Sequence, residues 1–112
     1  MARESDGDVR AAKAARNQSL WREINERVRL VAEGAGDVDF VCECASLECN
    51  ETITLSVAEY EHVRVSPKRF PIALGHDFPA FEDVVAADDR YAVVEKRGKA
   101  GKEAAKMDPR LR

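Results

Sequence analysis

All three cysteines of the chain fall within eight residues, Cys42-Glu43-Cys44-Ala45-Ser46-Leu47-Glu48-Cys49. Thiolates are soft ligands, and three of them so close together call for a shared metal ion and a fourth donor to complete a tetrahedron. In an extended segment the side chains alternate. Cys42 and Cys44 therefore point the same way and Glu43 points away. Cys49 returns to them if residues 45–48 form a turn. The two histidines, His62 and His76, are the fourth-ligand candidates. His76 follows an apolar stretch and Gly75, which leaves it free to swing in; an open or different fourth position is the alternative, and His62, inside a short helix, is the weaker candidate. The expected site is Cys42, Cys44, Cys49 and His76 holding one zinc ion.

Two other chemistries use similar residues. Three Cys and one His also ligate the iron–sulfur cluster of the CDGSH family, which begins C-x-C as well. There the third Cys lies farther on and the His follows it closely, whereas here His76 is 27 residues past Cys49 and no CDGSH string occurs. Unmetallated thiols are the other alternative for the cluster. The expected role is a zinc-stabilised protein-interaction or regulatory module, with a redox or metal sensor, in which oxidation or metal loss unfolds the cysteine loop, as the alternative. A hydrolytic zinc needs an open coordination position and a nearby acid or base. The deaminase pair of H-x-E and P-C-x-x-C is missing, as are G-x-S-x-G, the Walker loop and the dinucleotide fingerprint. No catalytic residue is assigned, and an enzyme is not expected.

The elements that must position this site can be read around it. Val38–Cys42 and Glu51–Leu55 alternate in strand fashion and flank the cysteines like the two arms of a metal-bearing turn. Ser56-Val57-Ala58-Glu59 matches a capping box and opens a short helix to about Arg64, stopped by Ser66-Pro67. Phe70–Leu74 reads as a strand, confined by Pro71 to a sheet edge or to pairing beyond it. Phe81–Ala86 is ambiguous between a helical turn and a strand. Arg90–Lys96 is a clearer strand, with Asp88-Asp89 as the turn before it. Residues 99–107 fit a short helix ended by Asp108-Pro109.

Upstream, Leu20, Ile24, Val28 and Val31 lie within about 80° of one another on a helical wheel, with Trp21 and Ala32 widening the stripe. Gly34 is placed to end this helix in the left-handed region. The stripe has two uses: to pack on the domain's own sheet, or to dock a protein partner or a second copy through Leu20, Trp21, Ile24 and Val28. Residues 1–9 are polar and read as disordered, and 9–15 as a frayed helix without a large apolar face.

The expected organisation of the 112 residues is a flexible N-terminal arm (1–16), a zinc-stabilised α+β domain (17–97) and a basic C-terminal tail (98–112). The domain combines an N-terminal amphipathic helix, a small antiparallel sheet of about four strands and a short second helix. Residues 34–96 carry five Lys/Arg against thirteen Asp/Glu, and residues 97–112 carry six against two. Such an acidic body is a poor platform for phosphate contact, so nucleic acid is an unlikely partner despite Arg10, Lys13, Arg16 and the tail. No apolar run is long enough to span a bilayer, and the N-terminus lacks a signal-peptide pattern. A cytoplasmic protein is expected, where clustered cysteines serve metals or redox chemistry rather than disulfides.

Several of these residues also carry a resemblance. Phe40-Val41-Cys42-Glu43-Cys44, Cys49, Glu51, Leu55, Glu59-Tyr60-Glu61, Val63-Arg64, Pro67, Arg69-Phe70, Gly75-His76 and Tyr91–Lys96 resemble a group of small, uncharacterised actinobacterial proteins. Arg16-Asn17 and Asn25-Glu26-Arg27 resemble the helix that precedes the cysteines in that group. The resemblance covers roughly residues 15–110. It implies that Cys42, Cys44, Cys49 and His76 act as one unit, and it implies no particular activity. Leu74 departs from it, since proline is expected before Gly75-His76.

Overall fold

The computed structural model describes residues 6–32, 34 and 36–111. A long helix, α1 (Asp6–Val31), is followed by strands β1 (Asp37–Val41) and β2 (Thr52–Ser56), helix α2 (Val57–Val63), strands β3 (Arg69–Ile72), β4 (Glu82–Ala87) and β5 (Ala92–Lys96), helix α3 (Gly98–Lys106) and a closing 3-10 turn at Pro109–Leu111. The class is the expected α+β, with the antiparallel strands divided between two sheets. β1 pairs with β2, and the second sheet has the order β3-β5-β4. Pro71 does lie on an edge strand, opposite Val93. The ambiguous Phe81–Ala86 stretch is strand β4, the other edge, with an irregularity between Val84 and Ala86.

The core joins both sheets to the helices. Phe40 and Tyr60 stack with ring centroids 4.6 Å apart, among Ile53, Leu55, Phe70, Ile72 and Val94. Helix α2 carries the expected capping box: the Glu59 amide donates to Ser56 Oγ and the Ser56 amide to Glu59 Oε1. Arg90 in turn grips the Glu59 carboxylate with both terminal nitrogens. Its bonds, together with the helix cap, hold the Glu59 carboxyl down to about 2.

Both chain ends are more ordered than expected. Residues 1–5 lie outside the described part, but 6–16 form the first turns of α1, with Ala11, Ala12, Ala14 and Ala15 buried. The tail supplies Ala100 and Ala104, both fully buried. Alanine faces present little side-chain bulk, so α1 and α3 pack closely without large apolar residues. Gly101 instead faces the end of β5. A Cβ there would meet the Lys96 carbonyl oxygen at 2.9 Å, so its place in the helix is a packing requirement and not a break. Arg64, buried at the end of α2, makes a two-pronged pair with buried Asp108. That pair fastens the tail to the body.

Helix α1 is inverted relative to its apolar pattern. Its buried face carries Ala11, Ala15, Gln18, Arg22 and Asn25. Leu20 remains 56% exposed, Ile24 43% and Val31 89%. Val28 does touch the core. At 100° per residue the buried set is centred about 180° from Leu20, Ile24 and Val31. Arg22 shows why a polar face is tolerated inside. Its two terminal nitrogens donate to the carbonyls of Pro67 and Ala104, each at 2.8 Å, and its guanidinium lies 4.7 Å from the Phe70 ring centroid. A buried cation so satisfied also meets the negative end of α3.

Candidate metal centre

The ligand atoms of Cys42, Cys44, Cys49 and His76 all lie within 4.8 Å of one another, a grouping that can hold a metal ion. They come from three places in the backbone. Cys42 and Cys44 continue β1 beyond its last pair. The Cys42 amide donates to the Glu51 carbonyl and the Glu43 amide to the Pro71 carbonyl, each at 3.0 Å. Residues 42 and 43 thus reach both sheets. Between Cys44 and Cys49 the chain turns as anticipated, with the Cys49 amide donating to Ser46 O and the Glu48 amide to Ser46 Oγ. His76 closes a turn in which its amide donates to Ala73 O, with Gly75 at φ +81°. That positive φ at the third position is the type II geometry that favours glycine.

The imidazole is aimed at the sulfurs through Nδ1, 3.6 Å from Cys42 Sγ and 3.7 Å from Cys49 Sγ. Nε2 lies 3.0 Å from Glu51 Oε2. A carboxylate at that distance accepts a hydrogen bond from Nε2–H, which leaves the Nδ1 lone pair turned toward the thiols. The Ala73 amide donates to Cys42 Sγ at 3.1 Å, a bond that favours thiolate over thiol. His62 is exposed on α2 and stands apart from this cluster. All three cysteines are free, so the cluster is not a disulfide site.

The thiols affect one another's protonation. The hydrogen bond with Cys42 pulls Cys44 down to about 5, while that same bond and burial push Cys42 up. Partial burial raises Cys49. Cys42 and Cys44 are sealed from solvent, whereas Cys49 and His76 are half-buried.

The backbone that carries the thiols is held by α1. Asn17 Nδ2 donates to Ala45 O, Gln18 Nε2 to Glu43 O and Trp21 Nε1 to Ser46 O. Asn25 donates from Nδ2 to Val41 O and to Glu43 Oε2, and accepts the Val41 amide on Oδ1. One helix face therefore satisfies most of the polar backbone from residue 41 to 46 that no strand pairs. Glu43 faces away from the sulfurs as alternation requires, but into the protein. Burial pushes its carboxyl up to about 8, against the opposing Asn25 bond. Beyond it, the buried pair Lys96–Glu82, 2.8 Å apart, connects to Gln18 through Glu82 Oε2.

The four side chains expected to bind a metal are brought together, and the residues that support them were not foreseen. Glu51 gave no signal beyond its nearness to Cys49. Asn17, Gln18 and Asn25 were passed over because only the apolar periodicity of α1 was counted. Of the four helix residues expected to meet a partner, Trp21 is committed to the cysteine loop and Val28 touches the core, while Leu20 and Ile24 face solvent. Among the described residues no helix is long and apolar enough to cross a membrane. Comparison with models of known protein families, with curated proteins and with solved structures finds no match.

Proposed function

We propose that this chain is a zinc-binding module, with one Zn²⁺ held by Cys42, Cys44, Cys49 and His76, acting as a small scaffold for protein interaction or regulation. The geometry of the imidazole carries the reading. Zn–S bonds of about 2.3 Å and Zn–N bonds of about 2.0–2.1 Å give a tetrahedron whose S···N edges are about 3.6 Å. Cys42 and Cys49 meet His76 Nδ1 at 3.6 and 3.7 Å. The 4.8 Å limit on the whole set also supports a single ion over a two-iron cluster, whose ligands are shared between two metals.

The metal's role follows from where its ligands sit. It joins the end of β1, the turn before β2 and the turn after β3, and so fastens the two sheets at one edge. Four protein donors fill a tetrahedral shell, which leaves no position for substrate and supports a structural rather than catalytic role. The exposed Leu20 and Ile24 of α1 are the surface we assign to a protein partner. Free thiolates of this kind need a reducing compartment, which supports the cytoplasm. The ligand set is also the feature shared with the actinobacterial group that the sequence resembles.

One observation favours a second reading. Cys49 and His76 are half-buried where the other two ligands are sealed, so an oxidant reaches the site from one side. A sensor that releases zinc on oxidation would use that opening.

The test is metal analysis of wild type beside Cys49→Ser. Stoichiometric zinc in the first and its loss in the second supports the module. Equal metal content in both contradicts it. Zinc release at low peroxide, reversed by thiol reductant, would favour the sensor.

A further inference from the structure

The inverted helix exposes a surface that fits itself. Leu20, Ile24, Arg27 and Val31 recur at spacings of four, three and four along α1, the rhythm of a two-helix seam. Two clefts flank this stripe. One, of about 500 Å³, is lined by Leu20, Glu23, Lys106 and Met107 among others. The other, of about 410 Å³, is lined by Ile24, Arg27, Val28, Val31 and Ala32.

Resting on the reading of α1 as an interaction surface, we propose that its partner is a second copy of this chain, packed antiparallel about a twofold axis near residue 25. A twofold interface needs one patch complementary to itself, so each contact must occur twice. An axis at residue 25 places residue i opposite residue 50 − i. Leu20 then meets Val31 of the other copy, at the second cleft. The mirrored contact puts Val31 of the first copy into the cleft beside Leu20 and Met107 of the other. The two Ile24 side chains lie one residue to either side of the axis, within reach of each other. Glu23 falls opposite Arg27, giving the same charge-complementary pair on each side. A parallel arrangement would instead set Glu23 beside Glu23 and Arg27 beside Arg27. None of the four candidate ligands lines either cleft, and of the helix residues that hold their backbone only Asn17 borders one.

The experiment measures solution mass and zinc content together on the full chain, by sedimentation across a concentration series. The prediction is a mass that rises to twice the monomer value. Ile24→Glu should weaken association at least about tenfold with zinc content and circular dichroism unchanged, because it puts two carboxylates at the axis. Glu23→Arg and Arg27→Glu should each weaken association, and the double swap should recover it. A mass that stays monomeric at every concentration overturns the dimer, as does a dimer that survives Ile24→Glu or a double swap that fails to recover. Zinc content separates the two ideas. A zinc-loaded monomer overturns the dimer alone, and a metal-free dimer overturns the zinc module alone.

Discussion

His76 shows how much of the site depends on single atoms. Its Nδ1 faces the sulfurs because Nε2 has Glu51 to donate to, and Glu51 is itself placed by the start of β2. Replacing Glu51 with Gln keeps the shape and removes the charge that fixes the tautomer. A loss of zinc affinity of about tenfold is expected, at the low end for such supporting residues because Glu51 is largely exposed, and competition with a chelator measures it. Glu26 offers a test by pH. Burial acts to raise its carboxyl, and the bonds from Arg110, Arg64 and Tyr60 outweigh it, so the group sits below its ordinary value. A carboxyl lower in the folded than in the unfolded chain contributes stability that is present above the unfolded value and lost as pH falls through the folded one. Arg110→Gln removes the first of those bonds. The stability difference between wild type and this variant should therefore shrink as pH drops below about 4.5, where the unfolded carboxyl protonates. Metal loss in acid acts on both proteins and cancels in that difference. Chemical denaturation of the two at matched pH reads it out.

At the scale of elements, α1 inverts the usual expectation, and substitutions should reveal it. Asn25→Ala leaves the Val41 amide, the Val41 carbonyl and Glu43 Oε2 without their bonds, at a cost of about 2–4 kcal/mol. Leu20→Ser, at dilutions where the chain is monomeric, should change stability by no more than about 0.5 kcal/mol, since Leu20 is mostly exposed. Denaturant titration of both variants checks the order, which is the reverse of what hydrophobicity alone predicts. This is also where the sequence was least legible. The strands, the capping box at Ser56 and the cysteine turn were readable because local patterns dictate them: alternation, a side-chain cap, a fixed count of residues between ligands. The inward turn of Gln18, Arg22 and Asn25 is dictated by distant backbone, namely carbonyls at 41–46, 67 and 104 that need donors. No local period encodes that need. In the tail the helix over residues 99–107 was legible but its burial was not, because Ala100 and Ala104 make a buried face only once α1 presents alanines to match them. The turn at residues 73–76 gives a smaller test. Leu74 occupies the second position, where proline suits a type II turn, so Leu74→Pro should raise stability by about 0.4–1 kcal/mol without altering zinc content.

For the molecule as a whole, the central claim is that one ion holds together what the modest core does not. The four ligands come from three junctions between strands, and the polar face of α1 shapes the backbone between them. Two of the candidate ligands, the helix and both sheets meet at Cys42-Glu43-Cys44. The most direct measurement is the metal content of the purified, colourless or coloured chain by elemental analysis, paired with its melting before and after chelation. The account predicts one zinc per chain, no visible absorbance, and a melting transition that falls or disappears when the zinc is withdrawn. A brown protein carrying iron, or a metal-free chain that melts as wild type does, would contradict it.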